Sequence, residues 1–155
     1  MKRRALMLAL AGFTLAPTVN SSAAPLSYGT YYDETVAAPT CISTTFCPVY
    51  FSQTPADKLL MVRKINCIFS SPNPTQQAVL EIATQLHGSP IQRFLTLPMP
   101  QAQVSGGVYT TSVESQPDWL VGQSRFPFIV ASTIASSNYI NASCTLRGDL
   151  IDPIQ

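Results

Sequence analysis

Charge is scarce in this chain and histidine scarcer: Asp, Glu, Lys and Arg make up 11% of 155 residues, and His87 is the sole imidazole. Each shortage closes off chemistry. Lys2, Arg3 and Arg4 supply three of the nine basic residues and none of the eight acidic ones, which leaves six against eight in the rest of the chain. Those six, Lys58, Arg63, Lys64, Arg93, Arg125 and Arg147, are dispersed, whereas nucleic-acid binding needs a concentrated basic footprint. A nucleic-acid partner is excluded. One histidine cannot build a multi-histidine metal site, no Cys-x-x-Cys pair suggests zinc, and Gly122-Gln123-Ser124-Arg125-Phe126 lacks the closing glycine of a hydrolase nucleophile elbow. No metal or cofactor is expected.

Long apolar runs are missing too. Ala5 to Ala16 is broken by Gly12 and Thr14 and ends at Pro17, well short of the about 20 apolar residues that span a bilayer. Preceded by Lys2-Arg3-Arg4 and followed by the small residues Ser21 and Ala23, it has the three-part layout of a secretory leader. A signal peptide over 1–23 is expected, cut before Ala24, with no membrane span after cleavage and a secreted or periplasmic destination.

The whole chain holds thirteen prolines and seven glycines, all but Pro17 and Gly12 after the leader, and the apolar segments between them are short and rich in Val, Ile, Phe, Tyr and Thr. That is the pattern of strands and turns. Residues 24–40 read as an N-terminal arm or edge strand, and 41–155 as an antiparallel β-sandwich of about seven or eight strands, jelly-roll or immunoglobulin-like. The plainest strand is Tyr139 to Leu150, with Ile140, Ala142, Cys144, Leu146 and Leu150 in one phase. Lys58 to Phe69 places Leu59, Met61, Ile65, Cys67 and Phe69 together, with Arg63 out of character among them. Phe126 to Ile134 carries Phe126, Phe128, Val130 and Ile134 in phase, and Ser136-Ser137-Asn138 reads as the turn between the last two strands. Residues 74–87 fit a helix capped by Asn73 or a strand with Leu80, Ile82, Thr84 and Leu86 on one face; their strand neighbours favour the strand.

Four cysteines in an exported domain predict two disulfides. Cys67 and Cys144 sit mid-strand on apolar faces and suit a long inward bridge, leaving Cys41 and Cys47 to close a short local loop; Cys47, in phase with Val49 and Phe51, keeps the other pairings open. On chain entropy the long closure is worth roughly 4.5 kcal/mol and the short one roughly 2.4 kcal/mol.

Catalysis has little to work with. His87, just before Gly88-Ser89-Pro90, reads as a solvated turn residue, and the acids Glu81, Glu114, Asp118 and Asp149, which a glycoside hydrolase would need in pairs, read more simply as surface or turn residues. An enzyme is not expected. Trp119, in an apparent loop, and Tyr109 and Tyr139, on predicted outer faces, are the candidate binding residues, since exposed rings stack on sugars or grip partners. The expected role is a non-catalytic binding module for a glycan or cell-surface polymer, with a self-assembling envelope or surface protein, a homo-oligomer, as the alternative.

Overall fold

The computed structural model describes residues 24–153; the leader expected at 1–23 lies outside them. They hold ten strands: Leu26–Tyr28 (β1), Tyr31–Ala37 (β2), Cys41–Tyr50 (β3), Leu59–Ser71 (β4), Thr75–Ala83 (β5), Pro90–Thr96 (β6), Gln103–Ser105 (β7), Val108–Ser115 (β8), Trp119–Val121 (β9) and Phe126–Ile151 (β10). The described residues contain no helix, and every strand pair is antiparallel. The chain is all-β. It has ten strands rather than seven or eight because β1, β7 and β9 are three residues each, too short to display alternation. The 74–87 ambiguity ends as strand: β5 has ladder partners on both sides, β10 and β6, and points Ala78, Leu80 and Ile82 into the core.

The architecture follows from β10. The two strands predicted at Phe126 to Ile134 and Tyr139 to Leu150 are one 26-residue strand, and the expected turn at Ser136-Ser137-Asn138 is instead an irregularity within it, where the register shifts between Ser132 and Ser137. Its neighbours run the same course. Along one edge β2 pairs with Ser143 to Asp149 and β3 with Phe128 to Ile140; along the other β4 pairs with Asn141 to Ile151 and β5 with Phe126 to Thr133. The neighbouring runs break where they pass from one half of β10 to the other, at Ala38-Pro39-Thr40 beside Asn141 and Ala142 and at Pro72-Asn73-Pro74 beside the β10 irregularity. Proline has no N–H to give a ladder, so it belongs at such breaks. Asn73 fastens the crease, its amide donating to the Ser136 carbonyl at 3.0 Å and to Ser137 Oγ at 3.2 Å. Turn-type residues here build a bend in a continuous strand.

The bend divides the sheet into an A ladder (β1, β2, the C-terminal part of β10, β4, β8, with β7 and β9 outside) and a B ladder (β3, the N-terminal part of β10, β5, β6). Side chains from both meet in one core, including Leu60, Val62, Ile65, Phe69 and Leu146 from A and Val49, Leu80, Ile82, Ile129 and Ile140 from B. Two ladders around one core are consistent with the expected sandwich.

Two of the predicted faces are displaced. In β4 the register passes from Arg147↔Lys64 to Gly148↔Val62, so Arg63 is an extra, bulged residue. The bulge changes the phase, and Leu60 and Val62 point inward rather than Leu59 and Met61. Gly148 opposite permits it, since a Cβ there would run into the Met61 carbonyl oxygen. In the first part of β10, Ile129, Ala131 and Thr133 are buried on the core side, and of the predicted set Phe126, Phe128, Val130 and Ile134 only Phe128 is buried, outside the main core cluster. Both disulfides form as favoured, Cys41–Cys47 and Cys67–Cys144, the latter joining directly opposed residues of β4 and β10.

Candidate functional site

Because side chains alternate along a strand, the residues out of phase with the core build each ladder's outer face. On the A ladder that face is wet and internally paired. Arg147 Nε donates to Asp33 at 3.0 Å, Lys64 Nζ to Glu114 at 2.6 Å, and Arg63 bridges Asp118 at 2.8 Å and Asp149 at 2.9 Å. Hydrogen bonds from Arg63 to those two carboxylates hold its guanidinium above its ordinary value. Thr35 and Thr145 join hydroxyls at 2.8 Å.

The B ladder's outer face has the opposite chemistry. Reading the registers across β3, β10, β5 and β6 gives the row Tyr50, Phe128, Glu81, Phe94 and beside it the row Pro48, Val130, Val79, Thr96. Phe46, Ser132 and Gln77 make a third. Tyr50 stacks on Phe128 with centroids 5.2 Å apart, while Phe94 is 64% exposed and Phe46 57%. Glu81 is the one acid in this apolar array. It has no ion-pair partner among the described residues, and burial alone raises its pKa above the ordinary carboxyl value.

This face continues into a groove of about 510 Å³ at the β3 edge, lined by Val36, Pro48, Tyr50, Ser52, His87 and Phe126 among others, with no Asp, Glu, Lys or Arg. The groove owes its shape to a turn and an anchor. The Thr84–Ser89 connection puts His87 at φ 60°, its ring edge-on to Tyr50 at 4.4 Å. The anchor is Glu34, buried in β2, whose carboxylate accepts from the Ser52 amide at 3.0 Å, from Ser52 Oγ at 2.8 Å and from the Tyr32 hydroxyl. Burial first, and Glu34 second, push the Tyr32 phenol well above its ordinary value. Glu34 thereby ties the end of β3 back to β2.

No family model matches this chain, and no curated protein matches it in sequence. The site must be read from its own geometry.

That geometry does not gather the three aromatic candidates. Trp119 lies in β9 opposite Val62, not in a loop; it packs against the core, and the Arg93 guanidinium covers its ring at 4.7 Å. Tyr109 pairs with Ser71 at the other end of β4, nine residues from Val62 and hence roughly 30 Å away. Tyr139 stands in β10 opposite Ile42. Of the acids weighed for catalysis, Asp118 and Asp149 meet on Arg63, Glu114 is paired with Lys64, and Glu81 is on the opposite ladder. Among the described residues no three His, Cys, Asp or Glu side chains could together hold a metal.

The residues sequence reasoning missed are Tyr50, Phe94 and Glu34. Tyr50 and Phe94 were missed because their rows become visible only when four strands are aligned. Glu34 had a signal, since it shares its phase with Tyr32 and Val36 in β2, and an acid in an apolar phase is buried with partners or not at all.

Proposed function

We propose that this chain is an exported, non-catalytic binding module that recognises a glycan or another cell-surface component on the outer face of the B ladder and its groove. The observation that carries the reading is the row Tyr50, Phe128, Phe94, in which Phe94 is exposed, Tyr50 half-buried and Phe128 buried against Tyr50, running into a groove without fixed charge. Aromatic rings with a few hydroxyl and amide neighbours, here Ser52 and Gln53, suit the apolar faces and hydroxyl edges of sugars. The leader pattern supports export, and two disulfides fit an oxidising compartment. The acids available for hydrolysis are spent in ion pairs or stand alone, which supports a role without turnover.

The test is calorimetric titration of the mature protein, from Ala24, against neutral and charged polysaccharides, with Phe94→Ala and Trp119→Ala alongside. Phe94 is the cleaner probe because its exposed ring contributes little to folding. Saturable binding weakened roughly tenfold by Phe94→Ala, and little changed by Trp119→Ala, is the expected result. No binding by folded protein overturns it. The second reading, self-assembly, is favoured by exposed Ile42 and Phe46 along β3 and Ile91 and Phe94 along β6, the two outer strands of the B ladder; it requires a sedimentation coefficient that rises with concentration.

A further inference from the structure

The least explained group on the molecule is Glu81. It stands between Phe128 and Phe94 on the outer face, partly desolvated, with no cation of its own. The described residues have none nearby to offer. Lys58, Arg63, Lys64 and Arg147 are held in ion pairs of the A ladder or its margin, and Arg93, next to Phe94 in sequence, is turned to the other side of β6 over Trp119. Arg125, just ahead of β10, packs beside Gly122. The imidazole of His87 is engaged with Tyr50 across the face. A carboxylate flanked by rings and left unpaired is the missing half of a charge pair, and an approaching cation gains from the low local dielectric there.

Charge also selects the occupant. A second copy laid on this face about a two-fold axis brings a like carboxylate toward Glu81, and an anionic polymer brings worse. A sugar with a protonated amine supplies what is absent, its ring resting on Phe94 and its ammonium on the carboxylate. Building on the glycan-binding reading above, we propose that the B-ladder face is specific for glycans carrying free amino groups, with Phe94 as the stacking platform and Glu81 as the amine acceptor.

The experiment is titration of the mature protein with glucosamine oligomers and with fully N-acetylated oligomers of the same length, each against the unmodified protein and Glu81→Gln. Acetylation removes the charge and keeps the sugar ring. The expected result is a preference of about tenfold or more for the free amine, reduced by added salt and erased in Glu81→Gln. Equal affinity for the two oligomers, or a preference that survives Glu81→Gln, overturns the amine assignment while leaving a glycan module standing. Binding to neither oligomer overturns it as well, and if neutral and charged polysaccharides also fail, the glycan reading goes with it.

Discussion

The two halves of the bent sheet hide one shared core and turn opposite chemistries to solvent. On the A ladder, Arg147, Lys64 and Arg63 each have a carboxylate within 3.0 Å, and the face around them mixes Thr, Ser and Asn with the exposed Ile68 and Tyr31. On the B ladder, rings and aliphatic side chains surround a single unpaired carboxylate. Solvent is a sufficient partner for the first face. The second exposes side chains that water solvates poorly, and contiguous apolar surface of this kind marks an interaction site far more often than an accident of folding. The proposed binding face rests on this comparison of two ladders that share β10 and its bend but differ in what they turn outward.

The hardest way to break the comparison is to remove what makes the two halves one body. Cys67–Cys144 joins β4 to β10 at the middle of the A ladder and closes a loop of 77 residues. Replacing both with alanine is expected to cost about 4.5 kcal/mol, and both outer faces should be lost in a single transition if they depend on one core. Urea unfolding followed by tyrosine fluorescence and by circular dichroism checks this. Two separated transitions would mean that the ladders fold independently and that their contrast is between two units.

A smaller effect comes from the anchor at the groove. Glu34→Ala leaves the Ser52 amide, Ser52 Oγ and the Tyr32 hydroxyl without their acceptor in a buried site. A loss of about 3 kcal/mol is expected, and ligand affinity should fall with it because β3 is no longer held to β2 at the groove wall. The same substitution at Asp33, one residue away on the wet face, removes only a surface pair with Arg147 and should cost less than about 1 kcal/mol. Neighbouring acids on opposite faces of β2 therefore separate burial from charge.

The strands and the disulfides were legible because they depend on local signals. Period two at Ile140, Ala142, Cys144 and Leu146 and the inward phase of Cys67 both report a residue's own environment. The bend was not legible, because Ser136-Ser137-Asn138 has turn chemistry whether the chain reverses or merely creases; only the pairing of β3 and β5 with the first part of β10 decides it. The bulge lay between these cases. Arg63 broke the pattern of Lys58 to Phe69 visibly, and the physical reason, an extra residue opposite Gly148, accounts for the reversed phase of Leu60 and Val62. The site was least legible. Tyr50, Phe128, Glu81 and Phe94 lie up to 78 residues apart and become one row only through three separate registers, whereas Trp119 drew attention as the sole tryptophan and is engaged by Arg93.

The finest test sets two glutamates against each other. Glu114 on the A ladder is held by Lys64, and Glu81 on the B ladder is held by nothing in the described protein. Glu114→Gln removes a surface ion pair and should destabilise by up to about 1 kcal/mol at neutral pH, less in high salt. Glu81→Gln should have the opposite sign. Burial raises the folded-state pKa of Glu81 above its ordinary value of 4.5, so between the two values the folded state binds more proton than the unfolded state. Stability from this group is fully present below the unfolded value and is lost as pH rises through the folded one. Removing the charge restores it: Glu81→Gln should be more stable than the parent protein at neutral pH, and that advantage should vanish on acidification below 4.5. Urea midpoints of the two variants across this range decide the matter. If both variants are destabilised at neutral pH, Glu81 has a cation partner in solution, and the B ladder's outer face is as self-sufficient as the A ladder's.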